Sequence, residues 1–193
     1  MPSTIDWDLT FFLAGTGPPH HACIVVARPD GSLGMLEAGP HDTPIIAIKD
    51  LSSNLLEYET RERIWVRRRR VPLTPEQSAK LTAFALAQEH KPFAILRLVV
   101  QITPFRTRGP LRTWFVGSPH GERHCYFCSE LVLEACVAAG LIDSATARPS
   151  ATYPRDIFFD HSLDPYLNRH LNLSEGWYPP ARWTSAPSAD HAK

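Results

Sequence analysis

Between Phe127 and Gly140, apolar side chains recur at Leu131, Val132, Ala135, Cys136 and Ala139, in steps of three and four that an α-helix gathers onto one face. Gly140 closes the run as a helix stop, and Cys128 is predicted to start it. A helix with so apolar a face has to bury it against a second layer. Residues 22–27 and 33–38 offer that layer. They are short apolar runs parted by the turn formers Pro29, Asp30 and Gly31, and are predicted to pair as an antiparallel hairpin. His21 would open its first strand, and the second would bring Glu37 back towards His21. The expected class is α+β, a small antiparallel sheet packed on the helix that Cys128 begins.

Other segments fill in around this pair. Residues 9–14 read as a further buried strand, and residues 63–71 as a third extended segment with Ile64 and Val66 at period two. Thr74-Pro75-Glu76-Gln77 has the chemistry of a helix start: Thr74 as cap, Pro75 at the first position, Gln77 closing a capping box. That helix is predicted to run to about His90, before Lys91-Pro92 stops it. Residues 95–102 fit a strand or a buried helical turn equally well, and residues 104–110 read as a loop exposing Arg106 and Arg108. Past Ala147 the chain is rich in Pro, Asp, Tyr and Asn, with apolar islands at Ile157-Phe158-Phe159 and Trp177-Tyr178. The expected organisation is a core over 1–147, an extension over 148–184 wrapped on it, and a frayed tail over 185–193.

Composition narrows the classes. The 193 residues are 44% hydrophobic and 21% charged, within the range of chains that fold on their own. Lys plus Arg and Asp plus Glu number 20 each, so no overall field draws the chain to nucleic acid. The run Arg67 to Arg70 reads as a solvent-facing strand edge, its arginines fanning to both faces, rather than a phosphate patch. No apolar stretch approaches about 18 residues, so no stable membrane insertion is expected. Asp6 and Asp8 stand where an export signal would have Lys or Arg, which leads to the expectation of a cytoplasmic protein. In that compartment Cys23, Cys125, Cys128 and Cys136 are expected as thiols. Nothing in the sequence bears on oligomeric state.

A thiol at a helix N-terminus beside a histidine has its thiolate stabilised twice, which makes Cys128 the candidate nucleophile. The amide of Cys128 could also donate to an oxyanion. Cys23 and Cys136 read as small core residues. Adjacent strand residues point to opposite faces, so only one of His20 and His21 can meet the cysteine. A competing set, His120, His124, Cys125 and Cys128, could in principle supply four ligands to one zinc, but it contains one short Cys-x-x-Cys pair with no second pair like it. A redox role for Cys125 and Cys128 lacks a thioredoxin-like surround.

Taken together, His21-Ala22-Cys23-Ile24-Val25, Leu36-Glu37-Ala38-Gly39 and Tyr126-Phe127-Cys128-Ser129-Glu130-Leu131-Val132 resemble, in that order, motifs of the circularly permuted NlpC-type papain-like cysteine hydrolases, of which the YiiX/YebB group is a branch. The likeness covers about residues 8–140. It takes in Asp8, the helix after Thr74 and Lys91-Pro92-Phe93, where the commoner residue is tyrosine; Cys23 stands where glycine is usual. The resemblance implies a catalytic triad of Cys128, His21 and Glu37, with neither metal nor cofactor, acting on a peptide or peptidoglycan-type amide. A lipid acyltransferase or thioesterase of the lecithin:retinol acyltransferase type and a non-catalytic peptide-binding module are the alternatives. Trp114-Phe115-Val116 would be an apolar lip for the lipid case.

Overall fold

The computed structural model describes residues 19–39, 44–61, 64–96, 121–159, 171 and 173–185. The expectations for residues 9–14, 97–102, 104–110 and 114–116, for Asp8 and His120, and for the tail beyond 185 lie outside the described residues. Among those described, the fold is α+β: a three-stranded antiparallel sheet of order β1-β2-β3 with helices on it. β1 (Ile24–Ala27) and β2 (Leu33–Ala38) form the expected hairpin in the register Ile24 opposite Leu36. Gly31, at φ 83, takes the left-handed turn position that glycine adopts without strain. β1 starts three residues later than predicted, so His21 lies in an extended lead-in rather than in the strand.

β3 (Ile46–Asp50) pairs with β2, and α1 (Leu51–Arg61) follows it directly. Neither was anticipated, although the signal for the helix start was there. Asp50 caps α1, its carboxylate accepting the Ser53 N–H at 2.8 Å, and Asp-x-x-Ser is legible cap chemistry. β2 is central, flanked on both edges, and buried on both faces from Gly34 to Ala38. One side carries Leu36 and Ala38 into the main core with Val26 and Ile46. The other side carries Glu37 towards α1.

α2 (Pro75–Gln88) begins with the predicted capping box. Thr74 Oγ1 accepts from Gln77 N at 3.2 Å and Gln77 Oε1 from Thr74 N at 3.1 Å. It ends at Gln88, two residues short of expectation, and His90 turns the chain at φ 69. α3 (Cys128–Ala138) starts at the predicted residue, and Gly140 at φ 68 ends it with its N–H on Val137 O. Leu81 and Ala85 of α2 join Leu131 and Ala135 of α3 under the sheet.

Residues 91–94 fasten the start of α3 to the sheet. Lys91 O accepts from Ile46 N at 2.8 Å, Pro92 O from Tyr126 N at 3.3 Å, and Tyr126 O from Ala94 N at 3.0 Å. The extended segment foreseen over 63–71 is a ribbon instead of a sheet member. β4 (Trp65–Val66) pairs with β5 (Ala181–Arg182), and Arg69 bridges Trp177. Between them α4 (Pro154–Phe159) and α5 (Leu173–Gly176) follow a single 3-10 turn at Pro149–Ala151.

Leu131 is fully buried where α3 meets the sheet. Leu131→Ala should lower the free energy of unfolding by roughly 2–5 kcal/mol. Urea titration should show this as a lower midpoint with an unchanged slope.

Candidate active site

The site lies where the lead-in to β1, the end of β2 and the start of α3 converge. Extending the hairpin register places Cys23 opposite Glu37 and His21 opposite Gly39. Because strand residues alternate, His21, Cys23 and Glu37 share the face away from the main core. Gly39 permits the imidazole to lie there: a Cβ at position 39 would stand 3.3 Å from His21 Cε1. His21 Nε2 is 3.6 Å from Glu37 Oε2. The same imidazole also interacts with the thiols of Cys128 and Cys23, both of which act to raise its pKa. The three residues singled out from the sequence, Cys128, His21 and Glu37, are thus brought together.

Two further residues complete the constellation and were missed. Lys49 of β3 sets its ammonium 2.6 Å from Glu37 Oε1, and Tyr58 of α1 donates its hydroxyl to Glu37 Oε2 at 2.8 Å. Both sit on elements that were not foreseen. Glu37 is only 4% exposed, which rules out a plain surface carboxylate. Burial pushes its carboxyl pKa up, but His21, Lys49 and Tyr58 outweigh that and hold it at about 2. Tyr58, its pKa raised first by burial, stays a protonated donor. Burial also works to lower the pKa of His21. Interactions with Cys128, Cys23 and Glu37 overcome it and raise the imidazole well above its ordinary 6.5.

Cys128 is the first residue of α3 and 7% exposed. Glu130, two residues on, accepts the Phe127 N–H at 3.0 Å, while Phe127 packs edge-on against Phe93, ring centroids 6.0 Å apart. Ser129 is fully buried, its hydroxyl donating to Thr152 O at 2.7 Å. Three separate contacts therefore fix where the Cys128 backbone can be. The other thiols differ from one another. Cys136 behaves as the core residue expected, its pKa pushed up to about 12 by burial. Cys23 does not: it is half-buried, on the site face beside His21, because residues 21 and 23 share a face.

Ligand atoms of His21, Cys23 and Glu37 lie within 4.8 Å of one another, so these three are the described residues that could hold a metal ion. Glu37, however, already has an ammonium on one oxygen and a phenol on the other, and a cation there would face Lys49 at close range. His124, Cys125 and Cys128 form no such group among the described residues. All four cysteines are free, so Cys125 and Cys128 are not joined.

A cleft of about 1220 Å3 opens beside the site, with His20, His21, Cys23 and Tyr58 on its wall. Its remaining wall is mainly aliphatic and aromatic. Comparison with protein-family models, with curated proteins and with solved structures finds no match to this chain.

The two perturbed groups act on stability in opposite pH ranges. The depressed Glu37 carboxyl stabilises the fold fully above its ordinary 4.5, and that contribution fades as pH falls towards about 2. The raised His21 contributes fully below 6.5 and loses its effect as pH climbs through its higher folded value. Glu37→Gln should therefore flatten the acid limb of a melting-temperature profile between pH 4.5 and 2. An acid limb as steep as that of the parent protein would mean that other carboxylates govern it.

Proposed function

We propose that the chain is a cysteine hydrolase of permuted papain-like type, opening an amide or ester through a thioester on Cys128. The observation that carries this reading is one imidazole that interacts with a thiol at a helix start and is flanked by a buried carboxylate. A raised imidazole pKa favours the charged pair, thiolate and imidazolium, over the neutral one. Glu37 stabilises that cation and holds the ring, while Lys49 and Tyr58 keep Glu37 in place.

In this mechanism the Cys128 thiolate attacks the carbonyl carbon, and the amides at the start of α3 receive the developing oxyanion. His21 then gives its proton to the leaving amine or alcohol as the carbon–heteroatom bond breaks. The thioester remains. His21, now neutral, takes a proton from water, whose oxygen attacks the thioester, and Cys128 leaves as the thiolate with the imidazolium restored. Retention of the thiol, the base and the orienting carboxylate in one place sets this reading above a module that only binds peptides.

Limiting iodoacetamide, followed by mass spectrometry across pH 5 to 9, tests the pair directly. Cys128 is expected to label at lower pH than Cys125, and His21→Ala should abolish that advantage, since thiols without such a partner titrate near about 8.5. Cys136 should stay unlabelled in the folded protein. Labelling of Cys128 that tracks Cys125 at every pH would remove the basis for the mechanism.

A further inference from the structure

The cleft has a chemistry of its own. At about 1220 Å3 it exceeds the roughly 300–1,000 Å3 of common small-molecule pockets. Val132 and Cys136 stand four and eight residues beyond Cys128, on the same face of α3, and both are on the cleft wall. His21 is on the same wall, so a substrate whose carbonyl meets Cys128 beside it has Val132, Leu133, Ile142, Leu173 and Trp177 to run against. Few groups on this wall can pair with the amides of a peptide backbone.

Two arginines interrupt the apolar wall. Arg67 is fully engaged: its guanidinium donates to Ile157 O at 2.8 Å, Phe158 O at 3.2 Å and Tyr178 O at 3.1 Å. Arg69 is not. It lies over the Trp177 ring at 5.8 Å, and its Nε and Nη1 are buried without a hydrogen-bond partner among the described residues. A guanidinium in that condition is costly to the fold unless something completes it. Arg69 shares the cleft wall with Cys136, which stands about two helical turns, or about 12 Å, beyond Cys128 along α3.

We propose that the cleft takes an anionic amphiphile, its apolar chain laid along α3 between a carbonyl at Cys128 and a carboxylate or phosphate met by Arg69. Arginine suits both anions, because its planar fork donates two parallel hydrogen bonds to either, and its long stem can turn that fork towards the cleft. Arg69 is then a specificity-determining residue, remote from the bond that breaks. The position of the carbonyl rests on the hydrolase reading, whereas the apolar wall and Arg69 do not.

Binding to the full-length Cys128→Ala protein tests the proposal without any turnover. Decanoate, decyl phosphate and decanol are titrated by calorimetry against this protein, with and without Arg69→Met or Val132→Trp. Decanoate or decyl phosphate should bind at least tenfold more tightly than decanol, and Arg69→Met should erase that margin while leaving decanol unchanged. Whichever anion binds better names the head group. Val132→Trp should weaken all three by about tenfold or more, and circular dichroism checks that each variant is folded. Equal affinity of all three ligands, or an anion preference that survives Arg69→Met, would overturn the role of Arg69. Indifference to Val132→Trp would overturn the cleft. Either failure would leave the iodoacetamide result on Cys128 standing, and a failure of labelling would leave the binding result standing.

Discussion

The buried carboxylate of Glu37 is the constraint around which the site is arranged. A charge at that depth persists only if it is met from several sides, and here an ammonium, a phenol and an imidazole converge on its two oxygens. Each partner comes from a different element: Lys49 from β3, Tyr58 from α1, His21 from the lead-in to β1. The central position of β2 follows from the same requirement. A strand flanked on both edges and covered on both faces can withdraw one carboxylate from solvent while its alternate residues, Leu36 and Ala38, fill the core.

That arrangement also sorts what was legible in the sequence. The hairpin, the capping box at Thr74, and the start and stop of α3 were readable because each rests on local chemistry: turn residues, a cap, a terminal glycine. His21, Glu37 and Cys128 were readable as a group through the order of three short motifs. Lys49 and Tyr58 were not, since what makes them part of the site is a strand pairing and a helix crossing, neither written in neighbouring residues. The two-residue displacement of Cys23 from His21 could have been used. Period two alone would have moved that thiol from the core to the site face.

The arginine run teaches the same lesson about partners. Read by itself, it fans to two faces, and it does: Arg68 and Arg70 are exposed over the Tyr178 ring, at 5.0 and 4.8 Å, whereas Arg67 and Arg69 are half-buried. It is not a free edge, however, because residues 176–183 run along it, with backbone hydrogen bonds from Arg70 N to Gly176 O and from Tyr178 N to Arg68 O. Stacking of guanidinium on aromatic rings adds to each such contact. Net charge could not have distinguished a solvated stripe from one pinned by aromatics a hundred residues later.

One hydrogen bond, from Ser129 Oγ to Thr152 O, links the residue next to Cys128 with the segment that follows α3. Its consequence is mechanical. A displacement of the segment after residue 147 is carried through the Thr152 carbonyl to the very start of α3, where Ser129 is fully buried. Cutting the chain before Thr152 should therefore disturb the thiol before it disturbs the sheet.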